Sequence, residues 1–450
     1  MTMPSILGLV DEGLGNSAYL VDLGDGRALA VDLSIDLRAV TAAAGRHGLQ
    51  VAYAAETHLH ADFVSGARQL AASGAEALAS VRGDRQFAHR GLDDGDEVDL
   101  GGLRLRAIAT PGHTAEHLSY LLLDGSAPVA VFTGGSLLVG SAARTDLVSQ
   151  DQTEALARAQ FQSLHRLAAL PDETVVYPTH GAGSFCSAPP SAERSTTIGR
   201  EKQTNPLLAA PDEDAFVAML LGQLGTYPTY FDRLAEVNRL GPLVLHGTPS
   251  MRGLSAPEVQ AYLSDGAAVV DVRPVSDYAA GHIPGSLAIP LRPVFATWLG
   301  WMADPDQPLV IVRNADQDLD EVIWQAHKVG YDRLVGELLG GLPTWAGSGL
   351  EVRVTPLVDP AAVDPSSVID VRQRSEYAGG HLPGARNLEL GRIADDPIRM
   401  DAAVVMCGHG ERAVSAASLL ERAGQPPVSV LTGGPQDWAR RTGRSIEVSR

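Results

Sequence analysis

The sequence has few cysteines, few basic residues and no long apolar run, and each absence excludes a class of protein. Its 450 residues include two cysteines, Cys186 and Cys407, too few for a disulfide framework and typical of a reducing cytoplasm. Lys and Arg total 35 against 54 Asp and Glu, and no dense basic run occurs, so nucleic acid is not an expected partner. Without a stretch of about 18 apolar residues or a signal-peptide pattern, we expect a cytoplasmic chain with no membrane partner.

The first third of the chain alternates predicted strands and helices, as an α/β fold does. Four of its strands stop where polar or glycine-rich residues follow: Thr57–Asp62, Thr110–His113, Gly134-Gly135 and Pro178–His180. Catalytic and binding residues gather at such strand ends because a rigid sheet fixes their positions. A helix is predicted over residues 212–241, and a linker over 246–255.

The second half contains an internal repeat. Residues 271–286 match residues 370–385, and a second anchor follows in each copy in the same order. The anchors are Leu339-Gly340-Gly341 with Trp345, and Thr432-Gly433-Gly434 with Trp438. The repeat predicts two α/β domains with parallel central sheets, at 254–351 and 355–450, behind a first domain at 1–245.

Histidines and a carboxylate are spaced in the first domain as metal ligands are. In Thr57-His58-Leu59-His60-Ala61-Asp62, alternate residues share one face of an extended segment. His113 and His180 each follow another strand, and imidazole is a good ligand for iron or zinc. The pattern predicts a metal site that draws on His58, His60, Asp62, His113 and His180.

These motifs resemble the metallo-β-lactamase superfamily, an αββα sandwich, and within it the persulfide dioxygenase branch. The matching stretches are Thr57–Asp62, Thr110–Thr114, Phe132–Gly134, Arg144–Asp146, Tyr177–Gly181 and Asn205-Pro206. The resemblance implies one iron bound by His58, His113 and an aspartate, but the aspartate position is Gly135. The superfamily usually has a histidine at Phe63, so two ligand positions are altered. A two-metal hydrolase is therefore disfavoured.

Three interpretations of the altered site stay open. His58, His60 and His113 form a three-histidine zinc site; or His58 and His113 hold Fe(II) while water, an anion or substrate replaces the carboxylate; or the domain is a scaffold without metal. Within the resemblance, Arg144 and Cys186 are expected near substrate. Cys186 is interpreted either as a small buried residue or as a thiol that carries sulfur.

The last domain places a cysteine between a strand and a helix. Val404–Met406 is predicted to be a strand, and a helix is predicted from Ala413 to Ala423. Backbone N–H groups at a helix start stabilise an anion, so Cys407 is predicted to be a nucleophile. Gly408, His409, Gly410 and Glu411 are predicted to form the anion-binding loop, with Arg412 as its positive charge.

This loop resembles that of the rhodanese sulfurtransferases, with Cys-x-x-Gly-x-Arg at Cys407–Arg412. Asp370–Arg372, His381–Gly384, Gly433-Gly434 and Trp438 also match. The resemblance implies that Cys407 takes up sulfane sulfur as a persulfide. Phosphatase loops place one more residue between Cys and Arg. The first copy has Arg313 at the cysteine position, so it is predicted to be an inactive spacer or docking unit.

The domain order resembles that of bacterial persulfide dioxygenase–rhodanese fusions. That resemblance implies persulfide, thiosulfate, sulfite and a low-molecular-weight thiol as small-molecule partners, one Fe(II) or zinc ion, and a homodimer or higher homo-oligomer. Four functions stay open: persulfide oxidation joined to sulfur transfer, sulfur transfer at Cys407 alone, metal-dependent hydrolysis of a thioester or ester, and persulfide sensing without turnover.

Overall fold

The fold is described from a computed structural model that covers residues 4–188, 193–393 and 404–449. The chain divides into two compact units, Met1–Thr248 with Trp324–Gly330, and Pro249–Ile323 with Tyr331–Arg450. Both repeat copies therefore lie in the second unit except for Trp324–Gly330 of the first copy, while the predicted domain boundaries remain predictions. Across the described ranges, no helix is long and apolar enough to cross a bilayer.

Two six-stranded sheets form the centre of the front unit. Its strands are β1 (Ile6–Asp11), β2 (Asn16–Asp22), β3 (Arg27–Val31), β4 (Gln50–Ala55), β5 (Glu76–Ser80), β6 (Arg90–Leu92), β7 (Glu97–Asp99), β8 (Leu103–Ala109), β9 (Leu118–Asp124), β10 (Ala127–Gly134), β11 (Leu137–Leu138), β12 (Ser141–Ala143), β13 (Val175–Pro178), β14 (Ser187–Ala188) and β15 (Thr196–Thr197). The first sheet runs β1-β2-β3-β4-β5-β6 and the second β15-β13-β10-β9-β8-β7, with a small sheet β11-β12-β14 beside them. A hairpin turn at residues 24–26 joins β2 and β3.

Helices cover the outer faces of both sheets and complete the expected αββα sandwich. They are α1 (Arg38–His47), α2 (Ala67–Ala72), α3 (Thr153–Ala168), α4 (Ile198–Thr204), α5 (Glu213–Leu221) and α6 (Phe231–Leu240). Apolar residues of both sheets, such as Tyr19 and Phe132, pack between them. The prediction of one helix over 212–241 was wrong, because Gly222, Gly225 and Pro228 separate α5 from α6. A proline disfavours helical geometry in the residue before it.

The second unit contains two parallel five-stranded sheets with the same strand order. The first copy has β16 (Gly253–Leu254), β17 (Ala268–Asp271), β18 (Leu287–Ala288), β19 (Leu309–Val312) and β20 (Leu334–Leu338); the second has β21 (Leu357–Val358), β22 (Val368–Asp370), β23 (Arg386–Asn387), β24 (Val404–Met406) and β25 (Ser429–Leu431). Their orders are β16-β20-β19-β17-β18 and β21-β25-β24-β22-β23. The internal repeat therefore corresponds to a duplicated fold.

The helices of this unit lie around the two parallel sheets. They are α7 (Ala256–Ser264), α8 (Val275–Ala280), α9 (Phe295–Met302), α10 (Leu319–Lys328), α11 (Gly341–Gly347), α12 (Arg374–Ala378), α13 (Glu411–Arg422) and α14 (Pro435–Thr442). The part of α10 from Trp324 onward is assigned to the front unit. The first copy covers α13 of the second: Ser415 Oγ donates to the Ala288 carbonyl at 2.7 Å, and Ala288 N donates to Ser418 Oγ at 3.0 Å. A Cβ on Gly391 would overlap the indole ring of Trp301, so glycine is needed where the copies meet.

The repeated sequence motif proves to be a structural anchor. Arg273 Nε binds Asp271 at 2.9 Å and Arg372 Nε binds Asp370 at 2.9 Å, and all four side chains are buried. Each arginine also donates to a glycine carbonyl just before the motif histidine, at 2.7 Å in both copies. These bonds fix the turns after β17 and β22. The motif therefore has a structural role in both copies.

Candidate metal and sulfur sites

Four predicted metal-binding histidines meet in the interior of the front unit. His58 and His60 follow β4, His113 follows β8, and His180 follows β13. The ring centroids of His58 lie 4.1 Å from His60, 4.8 Å from His113 and 5.4 Å from His180. All four side chains are at most 1% exposed. The ligand atoms of His58, His60 and His180 lie within 4.8 Å of one another, so His180 takes the place predicted for His113 in a three-histidine group.

Asp32 orients the first two histidines. Its buried carboxylate accepts from Thr57 N at 2.8 Å and Thr57 Oγ1 at 2.7 Å, from the Thr179 hydroxyl, and from His60 Nε2 at 3.2 Å. Since the Thr57 hydroxyl donates to Asp32, it accepts from His58 Nδ1 at 2.8 Å. Within the described ranges, His58 Nε2 and His60 Nδ1 have no hydrogen-bond partner. Metal-ligating histidines are held at one nitrogen in this way.

The protonation of these side chains is set by burial and by Asp32. Burial lowers the pKa of His58 well below its usual value, and the adjacent His60 adds to this. Burial and His180 lower the pKa of His113 to about 3. Burial also acts to lower the pKa of His60, but the Asp32 carboxylate outweighs it and raises the value. His58 and His113 are therefore neutral near pH 7, the form that binds a cation.

A second set of contacts orients His113 and His180. His113 Nδ1 donates to the Arg144 carbonyl at 2.6 Å, and His180 Nδ1 donates to Asn16 Oδ1 at 3.0 Å. Asp62 Oδ2 lies 3.4 Å from His180 Nδ1 and accepts from Asn16 Nδ2 at 2.7 Å. His180 Nε2 and Asp62 Oδ1 are buried and have no hydrogen-bond partner in the part of the chain that the structure describes. Together with His58 Nε2 and His60 Nδ1, they are buried polar atoms whose hydrogen-bonding capacity is not satisfied by the described residues.

The geometry around Gly135 does not fit the iron site that the resemblance implies. A Cβ on Gly135 would overlap Cδ2 of His113, so the ring of His113 occupies the start of any carboxylate side chain there. Gly135 N donates to His117 Nε2 at 3.1 Å, a histidine that the sequence motifs did not single out. At the second altered position, Phe63 stacks on His60 with centroids 4.2 Å apart.

Cys186 lies beside these histidines, and Arg144 holds its loop. The ligand atoms of His113, His180 and Cys186 lie within 4.8 Å of one another. Arg144 N donates to the Cys186 carbonyl at 3.0 Å and Arg144 Nη1 to the Phe185 carbonyl at 3.1 Å. Its guanidinium also pairs with Asp146 at 2.7 and 2.8 Å. Arg144 uses these donors to hold the loop, and its contact with substrate stays a prediction.

Cys407 lies in the predicted place, where β24 ends and α13 begins. Its Sγ accepts a hydrogen bond from Gly410 N at 3.1 Å, and the residue is 1% exposed. Gly410 has φ +100°, a conformation that favours glycine and lets its N–H point inward. A Cβ on Gly434 would lie 2.8 Å from the Gly408 carbonyl oxygen, which explains the Gly-Gly anchor downstream.

The charged residues of this loop are already paired. Arg412 Nη1 and Nη2 bind the Glu376 carboxylate at 2.6 and 2.8 Å, and Glu411 binds Arg292 of the first copy at 2.9 Å. Burial acts to raise the pKa of Glu376, but Arg412 outweighs burial and holds it below its usual value. His409 is exposed at the entrance of the loop. Arg412 is thus near Cys407 but ion-paired.

In the first copy, an arginine fills the equivalent loop. Arg313 Nε binds Glu337 at 2.5 Å, and its Nη1 donates to the carbonyls of Asn314 and Gln317 at 3.2 and 2.9 Å. Carbonyl oxygens therefore face a cation here, whereas the second copy directs an N–H at sulfur. That this copy is inactive stays a prediction, based on Arg313 at the position that corresponds to Cys407.

Comparisons with known proteins identify both kinds of domain. The metallo-beta-lactamase superfamily profile matches residues 11–180, and the rhodanese-like domain profile matches 255–348 and 357–441. The chain thus joins a metallo-beta-lactamase superfamily domain to two rhodanese-like domains. Its front domain is homologous to persulfide dioxygenases: the human mitochondrial persulfide dioxygenase ETHE1 is 29% identical over 171 residues, 37% of this chain and 60% of the human protein.

Two further similarities cover different shares of the chain. A hydroxyacylglutathione hydrolase of Brucella anthropi is 36% identical over 148 residues, covering 32% of this chain and 53% of the hydrolase. The crystal structure of a metallo-beta-lactamase from Staphylococcus aureus has a TM-score of 0.66 and 27% identity, and covers 75% of this chain and 99% of that one. The chain spans only about half to three fifths of the two curated relatives named here.

Proposed function

We propose that this protein transfers sulfane sulfur through Cys407. The thiolate attacks the outer sulfur of thiosulfate or a persulfide, a sulfur–sulfur bond forms on Cys407, and sulfite or a thiol leaves. An acceptor thiolate then attacks the outer sulfur, and the Cys407 thiolate is regenerated. The observation that carries the proposal is the hydrogen bond from Gly410 N to Cys407 Sγ at the start of α13. Such an N–H stabilises the thiolate before attack and after release.

The intermediate is directly testable. Protein incubated with thiosulfate and digested without reductant is expected to carry one added sulfur atom on the peptide that contains Cys407. Mass spectrometry of the peptide that contains Cys186 provides the internal comparison. If the added sulfur is absent from Cys407, the proposed sulfur carrier is wrong.

Gly434→Ala tests whether the Gly-Gly anchor positions the loop. The new Cβ would lie 2.8 Å from the Gly408 carbonyl and 3.2 Å from the Cys407 carbonyl, and backbone there cannot move without moving sulfur. We expect sulfur transfer to fall roughly tenfold to a hundredfold, as displacements of about 1 Å do. Gly379→Ala, whose Cβ would make ordinary contacts at 3.5 and 3.6 Å, is the matched control. Equal rates for the two variants would show that Gly434 does not position the loop.

Persulfide oxidation in the front domain is the second candidate, and its homology to persulfide dioxygenases favours it. An iron ion would supply oxygen activation, but the His113 ring lies where the carboxylate ligand would begin. We therefore expect Fe(II)-reconstituted protein to show no oxygen uptake with glutathione persulfide, while the same sample transfers sulfur. Oxygen uptake with sulfite formation would mean that His58 and His113 hold a working iron ion without the carboxylate ligand. Hydrolysis is not favoured, because Phe63 and Gly135 remove ligands of a two-metal site.

A further inference from the structure

The front unit contains a group of metal-ligand atoms that the iron site of its relatives does not account for. His113, His180 and Cys186 offer two imidazole nitrogens and one sulfur within 4.8 Å of one another. Each of the three residues is 1% exposed. In a tetrahedral zinc site, such ligand atoms are roughly 3.5 Å apart. If the distances between these three ligand atoms shortened by about 1 Å, they would match the separations of a tetrahedral zinc site.

We propose that His113, His180 and Cys186 together bind one thiophilic divalent cation, such as zinc, with Cys186 supplying the anionic ligand that Gly135 does not. The site is independent of sulfur transfer at Cys407. Coordination forms a metal–sulfur bond and releases the thiol proton to solvent, with no change of oxidation state.

The hydrogen bonds of the two histidines direct one nitrogen of each toward this group. His113 is held at Nδ1 by the Arg144 carbonyl, and His180 is held at Nδ1 by Asn16. His180 Nε2 is buried with no hydrogen-bond partner among the residues that the structure describes. An unpaired buried polar atom is costly, and a bound cation would satisfy it. These outer contacts match those of metal-ligating histidines.

Charge and softness favour this group over His58, His60 and His180. The three imidazoles of His58, His60 and His180 would give a divalent cation no direct anionic ligand. In addition, His60 is already paired with Asp32 at 3.2 Å. Burial and Asp62 raise the pKa of the free Cys186 thiol, so Cys186 becomes a thiolate ligand only when the cation displaces its proton. The buried Asp62 carboxylate lies 3.4 Å from His180 Nδ1. Asp62 Oδ1, unpaired within the described part of the chain, adds a second negative charge nearby. Thiolate ligands select zinc over harder cations.

Arg144 links two of the three ligands, His113 and Cys186. Its carbonyl accepts from His113 and its N–H donates to the Cys186 carbonyl, so both ligands are fixed by one residue. The Asp146 pair and the Phe185 carbonyl immobilise its guanidinium. The His113 ring lies over Gly135, and three of its atoms are within 3.0 Å of the point that a Cβ on Gly135 would occupy. Glycine at position 135 and cysteine at position 186 are therefore compatible within one arrangement.

Cobalt(II) titration of metal-free protein tests the proposal by spectroscopy. Cys407→Ser serves as the starting protein, because Cys186 is then the sole thiol of the chain. We expect a sulfur-to-cobalt charge-transfer band in the near ultraviolet that saturates at one cobalt per chain. Adding Cys186→Ser is expected to abolish the band and weaken cobalt binding at least about tenfold.

His58→Ala in the same background separates the two possible ligand groups. The band is expected to persist, because His58 belongs to the other group of three. Saturation of the Cys407→Ser protein without a charge-transfer band, or no cobalt binding at all, overturns the proposal, and this result does not depend on whether Cys186→Ser folds. Sulfur transfer by the unmodified protein is assayed separately, so failure of either proposal is recognised independently.

Discussion

Cys407→Ser is expected to reduce sulfur transfer from thiosulfate to cyanide by at least about a thousandfold, because the attacking sulfur is removed. Serine keeps the size of the side chain and a hydrogen-bond acceptor for Gly410 N. The loss should therefore appear in kcat without unfolding of the domain. The measurement is the rate of thiocyanate formation, with the thermal unfolding midpoint taken on the same preparation.

The competing explanation is that sulfur passes through another group. Cys186 is the other cysteine of the chain, and it is buried in the front unit. Retention of more than a small fraction of the rate in folded Cys407→Ser protein would contradict the mechanism. A large drop in the unfolding midpoint would instead indicate a structural role for the thiol.

Asp32→Ala is expected to destabilise the front unit by about 3–5 kcal/mol, the loss seen when one partner of a buried charged network is removed. Thr57, Thr179 and His60 would all lose their acceptor in a site closed to water. Since the second unit has its own core, unfolding is not expected to be two-state. Hydrogen exchange of peptides from the two front sheets measures the effect directly.

Asp84→Ala provides the matched comparison. Asp32 and Asp84 have φ values of +53° and +48°, so the backbone effect of replacing aspartate is similar. Asp84, however, is exposed and pairs with Arg239 at the surface, at 3.0 Å. Such pairs contribute about 0–1 kcal/mol. Similar losses for the two variants would show that backbone conformation, rather than the buried network, explains the role of Asp32.

Much of the fold was predictable because its strands are short apolar runs between clear stops. The predicted strand Val404–Met406 has the same bounds in the structure, and the predicted repeat at 271–286 and 370–385 corresponds to a duplicated fold. Gly48 ends α1 in a left-handed conformation, as a helix-terminating glycine does. The error over 212–241 arose because apolar periodicity continues across a break that Pro228 and two glycines impose.

The sites were predictable only where the sequence itself brings residues together. The spacing in Thr57–Asp62 and in Cys407–Arg412 places several groups on one short loop. Asp32 and Asn16 were missed, since each acts on a residue far along the chain, such as His60 or His180. The position of the His113 ring over Gly135 depends on packing, which no local pattern encodes.

The Arg412–Glu376 pair has a consequence for donor selection. An anionic donor that enters the Cys407 loop meets a guanidinium whose charge is already balanced by a carboxylate. A donor that binds Arg412 must then displace the Glu376 carboxylate, which the chain itself holds beside the guanidinium. Small, highly charged donors would displace Glu376 more effectively than bulky monoanions. The Glu376 carboxylate would therefore select donors by their charge and size.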